Sequence, residues 1–333
     1  METEARPPSW KILLAFSIIY FVWGSTFLAI RIGVHEVPPF LLAAVRFFTA
    51  GLVLYAWLRL KGTPAPSPRE WVSASVLGAL IFLLDYGCLF WAEQRVPSGV
   101  TAVVLATIPV FIALLEITFL RTQKLTVRLG LALAVGIFGV AVLMNRSFSL
   151  GEAPIDRAGA LALLVASATW SIATILTRRV PLPASKAMSA AAQMITGGVM
   201  LFLLAAVSNE FAGFRVQAVS RSAWLALIYL IIAGSIVGFT AYVWLLHYES
   251  PTKVGTYAYV NPVVAVCLGH FFGGESIGAR TLLGTLLVLV SVITITTTRK
   301  SSAERVINPA GTQLVENAGE QSARNVYTKV YTQ

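Results

Sequence analysis

Apolar runs of about 20 residues follow one another along most of this chain, and short polar segments separate them. A helix needs roughly 20 mostly apolar residues to cross a hydrocarbon layer about 30 Å thick. Lipid cannot satisfy backbone N–H and C=O groups, so helices are expected for such runs. The pattern predicts an all-α membrane protein with ten transmembrane helices, at residues 11–30, 38–58, 70–92, 98–120, 125–144, 157–177, 187–207, 222–246, 251–273 and 279–298.

The chain contains the same pattern twice. Trp91 precedes Pro109 by 18 residues, and Trp244 precedes Pro262 by the same 18 residues. The first and sixth predicted helices also match, at residues 23–26 and 168–171. The repeated unit has five helices, and an odd number of crossings forces its two copies to enter the membrane from opposite sides. Two inverted five-helix repeats are therefore predicted, a construction typical of secondary transporters.

The repeat and the changes in composition divide the chain into five parts. Polar residues dominate between the two copies and after the last apolar run. A tail that lacks apolar runs is expected to be disordered. The predicted parts are a cytoplasmic lead at 1–10, the first repeat at 11–144, a periplasmic linker at 145–156, the second repeat at 157–298 and a disordered cytoplasmic tail at 299–333.

Composition and charge support a membrane protein and give its orientation. Hydrophobic residues make up 57% of the chain and charged residues 12%, which excludes an ordinary soluble protein. Lys and Arg are about twice as frequent at the helix ends on the side of the two termini as on the opposite side. The positive-inside rule places both termini in the cytoplasm, so the protein is predicted to lie in the inner membrane. The net charge of +10 reflects this topology, and no nucleic-acid partner is expected.

Aromatic and polar residues inside the predicted helices are the candidate substrate site. A proline break with tyrosines interrupts a membrane helix at a cost, and such breaks in corresponding helices point to a transporter's binding site. Aromatic faces with a few hydroxyls and amides suit amphipathic solutes. For each tryptophan, an interfacial or packing role is an equal alternative. The candidates are Trp23, Ser25, Arg46, Asp85, Trp91, Trp170, Tyr242, Trp244, Tyr257, Tyr259 and Asn261.

Three ionisable residues within the predicted helices are candidates for carrying a coupling proton: Asp85, Arg46 and His270. If their helices touch, Arg46 is the most obvious partner for Asp85. A purely structural ion pair is then an equal alternative to a functional role of Asp85. Facilitated diffusion without a coupling ion fits the scarcity of buried acids at least as well.

The chain lacks the sequence patterns of a catalytic or cofactor site. It has no His/Asp/Glu metal motif, no glycine-rich phosphate loop and no nucleophile elbow. Cys88 and Cys267 both fall inside apolar runs and are expected to be free thiols. An enzyme is not expected, and no cofactor or metal is predicted.

In five short motifs and their order the chain resembles the EamA-type transporters of the drug/metabolite transporter superfamily. The resemblance covers about residues 11–298. The motifs are Trp23-Gly24-Ser25, Arg46-Phe47, Ser98-Gly99 followed by Pro109, Asn261-Pro262 and Gly274-Glu275.

The resemblance implies a ten-helix bundle with both termini inside, a central cavity between the halves, and export of small polar or amphipathic metabolites such as amino acids. Family members often carry a Gly-Glu pair after the fourth helix too, where this chain has Leu120-Arg121-Thr122. Glu275 is thus present in the second repeat only, and no coupling role is assigned to it.

These observations predict a secondary transporter that exports small metabolites by alternating access. Amino acids or related amphipathic solutes are the favoured substrates. Nucleotide-sugars, phosphorylated sugars or drugs are the alternative, although a phosphate site would require several inward basic residues. The predicted partners are a small-molecule substrate, the lipid bilayer and, as a candidate coupling ion, the proton. Monomer and homodimer both stay open.

Overall fold

The computed structural model describes residues 7–121, 125–144, 155–177, 179–249, 254 and 256–307. All regular elements in these ranges are helical. The linker at 145–154 and the tail after residue 307, for which predictions were made, lie outside the described residues.

Ten helices follow one another along the chain. They are α1 (Ser9–Val34), α2 (Pro39–Leu60), α3 (Pro68–Glu93), α4 (Ser98–Thr118), α5 (Val127–Met144), α6 (Arg157–Leu176), α7 (Lys186–Val207), α8 (segments Arg221–Tyr229, Leu230–Val237 and Gly238–Tyr248), α9 (Tyr257–Gly273) and α10 (Ala279–Ile307). Within the described ranges, nine are long and apolar enough to cross a membrane, and α9 is shorter, with 17 residues. The predicted all-α membrane architecture is confirmed. Helix α10 extends to Ile307, beyond the predicted end at 298.

Several helices begin at a residue whose side chain caps the first turn. The Ser67 hydroxyl accepts from Glu70 N at 3.4 Å, while the Glu70 carboxylate accepts from Ser67 N at 2.6 Å, so this pair forms a capping box for α3. Asp156 accepts from Gly159 N at 2.7 Å at the start of α6. These caps satisfy amide groups that have no partner within the helix.

Three of the helices contain π-helical segments. They are Ile18–Val22 in α1, Ala79–Tyr86 in α3 and Leu230–Val237 in α8. α3 and α8 occupy the third position in their respective repeats. Such segments widen the helix locally, re-aim side chains, and are frequent at functional sites.

The packing of the helices follows the symmetry of two inverted repeats. α2 packs along α7, and α5 packs along α10, so helices at the second and fifth positions meet their counterparts. α1 packs on α9, and the equivalent contact joins α6 to α4. This exchange of partners is what an approximate two-fold axis in the membrane plane produces.

The two ends of the bundle differ in how their helices are joined. We call the end where α1 begins the termini end and the opposite end the far end. Near the termini end, Ile12, Phe16 and Leu245 form one apolar cluster of α1 and α8, and Val110 with Leu129 belongs to another. A larger apolar core joins residues of α1 to α8 and α10 and extends along the bundle, from Leu58 near the termini end to Val34 and Val96 at the far end.

Close approach of α2 and α7 depends on glycine at position 198. A Cβ atom at Gly198 would lie 2.8 Å from both the backbone nitrogen and the Cβ of Phe48 on α2. Backbone cannot move aside as a flexible side-chain tip can, so the two helices would have to separate.

We expect Gly198→Leu to lower the thermal stability of the purified protein, because overpacking costs about 1–3 kcal/mol. The neighbouring substitution Val199→Leu is the control, since Val199 is 42% exposed. Melting followed by size-exclusion chromatography in detergent measures the effect. Equal melting temperatures for the two variants would contradict this account of the α2–α7 contact.

Candidate functional site

An aromatic cluster joins α1, α8 and α9 next to the π-helical segment of α8. The ring centroid of Trp23 lies 5.3 Å from that of Tyr242 and 5.1 Å from that of Tyr257. Trp23 Nε1 donates to the carbonyl oxygen of Gly234 at 3.1 Å. The indole is thereby fixed in orientation, and all three rings are only half-buried. The cluster offers partly accessible apolar faces to a solute.

Arg46 lies in the interior of the bundle and is 2% exposed. Its Nε donates to Ser235 Oγ at 3.1 Å. Its guanidinium carbon lies 4.6 Å from the centroid of Phe47 and 5.4 Å from that of Tyr86, so aromatic faces stabilise the charge. Nη1 is buried and has no hydrogen-bond partner in the described part of the chain. The two N–H donors of Arg46 Nη1 are therefore unused within the described part of the chain.

Asp85 is buried on the π-helical segment of α3, and its side chain does not pair with Arg46. It is 3% exposed, and its Oδ1 lacks a hydrogen-bond partner among the described residues. The expected Asp85–Arg46 ion pair is thus absent between these two described side chains. The reason is that the guanidinium turns towards Ser235 on α8 and is flanked by rings. An acidic and a basic side chain thus lie in the interior without a direct contact between them.

Tyr86 connects the charged groups to the aromatic cluster. It lies within electrostatic range of both Arg46 and Asp85. Its ring centroid is 6.2 Å from that of Trp170 on α6, edge to face. Tyr257 in turn lies within electrostatic range of Tyr86 and Asp85. The structure therefore brings six of the predicted residues into one region, namely Trp23, Arg46, Asp85, Trp170, Tyr242 and Tyr257.

Ser25 and Asn261 hold the helices around this region. The hydroxyl of Ser25 donates to Val22 O at 2.8 Å and shares a hydrogen bond of 2.6 Å with the hydroxyl of Tyr229. The Asn261 amide, oriented by its hydrogen-bond network, donates to the carbonyl oxygens of Tyr20 at 3.1 Å and Tyr257 at 3.2 Å. It therefore ties α9 to α1 next to the proline break.

Three predicted site residues lie outside this region. Tyr259 is hydrogen-bonded to Thr296 on α10. Trp91 stacks under Arg95, whose guanidinium carbon is 3.9 Å from its ring centroid, near the far end of α3. Trp244 lines a separate apolar groove of about 720 Å³ between α1, α2 and α8.

Sequence reasoning did not select Tyr86, Tyr229 and Ser235 as site residues. Ser235 and Tyr229 each belong to α8, on or just before its π-helical segment. Their role depends on which face of α8 meets α1 and α2, and no sequence pattern identified that face. Tyr86 is adjacent to Asp85, and this was the one available signal.

A second polar cluster closes the far end of the bundle, centred on the carboxylate of Glu275. Oε1 accepts from Ser98 N at 2.7 Å, and Oε2 accepts from Gly99 N at 3.1 Å. These two amides open α4, where unpaired N–H groups and the helix dipole favour a negative charge. Arg31 Nε lies 3.3 Å from Oε1 and completes the contact. We call this arrangement the Glu275 interlock.

The backbone places Glu275 in the interlock. Gly274 ends α9 in the left-handed conformation, with φ of +66°, which glycine adopts without strain. On the other side, Arg31 Nη1 donates to the carbonyl oxygens of Glu93 at 3.0 Å and Val96 at 2.6 Å. The interlock thus connects α1, the end of α3, the start of α4 and the end of α9.

A family model described as the EamA-like transporter family matches residues 9–145 and 157–297 of the chain. The chain belongs to the EamA-like transporter family. Both halves match, and this agrees with the two copies found in the packing of the bundle. Membership establishes membrane transport as the general function.

Curated relatives cover nearly the same extent as this EamA-like chain. It is 36% identical over 285 residues to the "Uncharacterized inner membrane transporter YedA" of Escherichia coli strain K12, covering 85% of this chain and 89% of the relative. It is 26% identical to the "Uncharacterized transporter YoaV" of Bacillus subtilis, covering 85% and 95%, and 26% identical to "Protein PecM" of Dickeya dadantii, covering 86% and 93%.

A solved crystal structure has the same fold as this EamA-like chain. The two align with a TM-score of 0.57 and 22% sequence identity, covering 87% of this chain and 98% of the other. At this level of identity, the likeness concerns the fold alone.

We expect Glu275→Gln to destabilise the purified protein, because a neutral amide loses the ion pair and offers the two α4 amides a weaker acceptor. Hydrogen bonds to charged groups contribute about 1.5–3 kcal/mol each, so a fall of several degrees in melting temperature is expected. Glu36→Gln is the matched control at the same end, since the exposed Glu36 accepts hydrogen bonds from the amide and hydroxyl of Ser220. A smaller fall for Glu275→Gln than for Glu36→Gln would argue against the interlock as a structural element.

Proposed function

We propose that the protein is a secondary transporter that exports amino acids or related small amphipathic solutes by alternating access. The observation that carries the proposal is that Asp85 and Arg46, both buried, lie near Tyr86 and a set of half-buried aromatic rings, and that Asp85 Oδ1 and Arg46 Nη1 have no hydrogen-bond partner among the described residues. Such a region offers a cation acceptor, an anion donor and apolar faces to one small solute.

The proposed cellular setting follows from charge and from the relatives. YedA is named an inner membrane transporter, and we place this protein in the same membrane. The excess of Lys and Arg near the termini end supports a cytoplasmic position for both termini. The far end, with its interlock, would then face the periplasm.

The difference between the two ends supports alternating access. At the far end, Val34, Val37 and Val96 belong to the main apolar core, and the Glu275 interlock joins the helix ends. Near the termini end, the apolar residues of α1 and α8 are grouped separately from those of α4 and α5. A bundle joined more firmly at one end is the arrangement expected of one of two end states.

Phosphorylated substrates fit this region less well. A phosphate site requires several basic groups that form charge-assisted hydrogen bonds. Of the described Lys and Arg residues, Arg46 is the one in contact with the rings around Tyr86. The single charge favours a carboxylate over a nucleotide-sugar or a phosphorylated sugar.

Counterflow with purified protein in liposomes tests the proposal. The liposomes are preloaded in turn with neutral, basic and aromatic amino acids, and uptake of a labelled trace of the same solute is measured. Transient accumulation with one class is expected. Absence of accumulation for every amino acid, with folded and inserted protein, would favour sugars, nucleobases or drugs as the cargo instead.

We further expect Trp170→Ala to abolish counterflow while leaving membrane abundance unchanged, because Trp170 packs edge to face on Tyr86. Trp91→Ala is the matched control: Trp91 lies away from the site and stacks on the exposed Arg95. Retained counterflow in Trp170→Ala would remove this residue from the substrate site. Loss in both variants would indicate a general structural effect.

A further inference from the structure

Glu93 is a buried carboxyl group at the end of α3 that neither the proposed substrate site nor the fold accounts for. Its exposed fraction is 0%, and neither carboxyl oxygen has a hydrogen-bond partner within the ranges that the structure describes. An ionised carboxylate in such a position, without an ion pair or hydrogen bonds, would cost several kcal/mol. A protonated, neutral carboxyl group avoids most of this cost.

The nearest cation is already engaged. Arg31 directs Nη1 to the carbonyl oxygens of Glu93 and Val96, at 3.0 and 2.6 Å, and Nε to Glu275 at 3.3 Å. Glu275 therefore holds the positive charge that would otherwise stabilise an ionised Glu93. Two carboxyl groups share one guanidinium at this end of the bundle, and in this conformation only Glu275 is paired with it.

The other charged groups at this end, on the helices packed against the last turns of α3, are engaged elsewhere or exposed. On α2, Arg46 is bound to Ser235. On α6, Asp156 caps Gly159, and Arg157 is exposed. After Glu93 in its own chain segment, Arg95 is exposed and stacks on Trp91. The start of α4 adds the uncharged hydroxyls of Ser98 and Thr101, which are buried.

We infer that Glu93 is a proton-binding site: it holds a proton while the Glu275 interlock is closed and releases it when the interlock opens. Arg31 stays beside Glu93 after Glu275 departs, because its Nη1 is bound to the backbone of Glu93 and Val96. The freed guanidinium then pairs with the Glu93 carboxylate, and the proton passes to water that enters the opened end.

This inference rests on the proposed function, since it assumes that the far end opens during transport. It adds the ligand class, a proton, and a residue that is distinct from Asp85, Arg46 and His270. Each opening of the far end would release one proton there and each closing would take one up, so the pH on that side would shift the balance between the closed and the open far end.

Infrared spectroscopy of the purified protein tests the closed state without any substrate. The parent protein should show the carbonyl stretch of a protonated carboxyl group at neutral pH that is missing in Glu93→Gln. Glu36→Gln is the control, because the exposed Glu36 accepts hydrogen bonds from the Ser220 hydroxyl and amide, which lower its pKa and keep it ionised. An unchanged carbonyl region in Glu93→Gln would overturn the inference.

Thiol labelling tests the link to opening. Ser98→Cys, in a background without Cys88 and Cys267, places a thiol at the buried start of α4. The rate at which this thiol reacts with a water-soluble maleimide is divided by the rate measured for Ser208→Cys, an exposed position at the same end. This normalised rate corrects for the pH dependence of thiol reactivity. Opening releases one proton, so the normalised rate should rise with pH, by up to about tenfold per pH unit.

The variants separate the inference from simpler explanations. Glu93→Gln is permanently neutral and should keep the normalised rate low at every pH, whereas Glu275→Gln frees Arg31 and should raise it even at low pH. The same rise with pH in Glu93→Gln as in the parent would overturn the inference. These measurements need no substrate, so a negative result leaves the counterflow test untouched, and failed counterflow does not affect the state of Glu93.

Discussion

The carboxylate of Glu275 makes the contact that holds the helix ends together at the far end of the bundle. It reaches two free amides at the start of α4 and the guanidinium of Arg31 on α1. Each of these groups would be costly to leave unpaired inside a membrane protein. This one side chain thus joins α1, α4 and α9 at the far end, and Arg31 extends the contact to the end of α3.

The interior of the bundle keeps its charges apart. Arg46 is held by Ser235 and aromatic rings, whereas Asp85 Oδ1 has no hydrogen-bond partner among the described residues. At the far end, Arg31 pairs with Glu275, and the Glu93 carboxyl oxygens have no partner in the part of the chain that the structure describes. The charged form of an ionisable group is costly in a low dielectric when it has no partner. Each of these groups therefore marks a place where a ligand, a proton or a change of conformation can supply the missing partner.

The π-helical segments explain part of the site. Those in α3 and α8 contain Asp85, Tyr86, Gly234 and Ser235. Hydropathy identified both helices but could not reveal the local widening, because a π-helical turn has the same apolar composition as an α-helical one. Arg46 was suggested as the partner of Asp85 on the condition that their helices touch, whereas in the structure Arg46 Nε donates to Ser235 Oγ.

The sequence by itself determined the number of helices, their approximate ends, and the inverted repeat. These features can be counted along the chain: the length of an apolar run that spans lipid, the 18-residue spacing found twice, and the odd number of helices in each repeat. Only the tertiary structure decided which residues meet. The ring of Trp23 packs against those of Tyr242 and Tyr257, whereas Trp91 packs on Arg95 and Trp244 lines a separate apolar groove. Glu275 and Glu93 share Arg31 across more than 60 residues of chain, and such contacts depend on helix rotation, which an apolar sequence leaves unspecified.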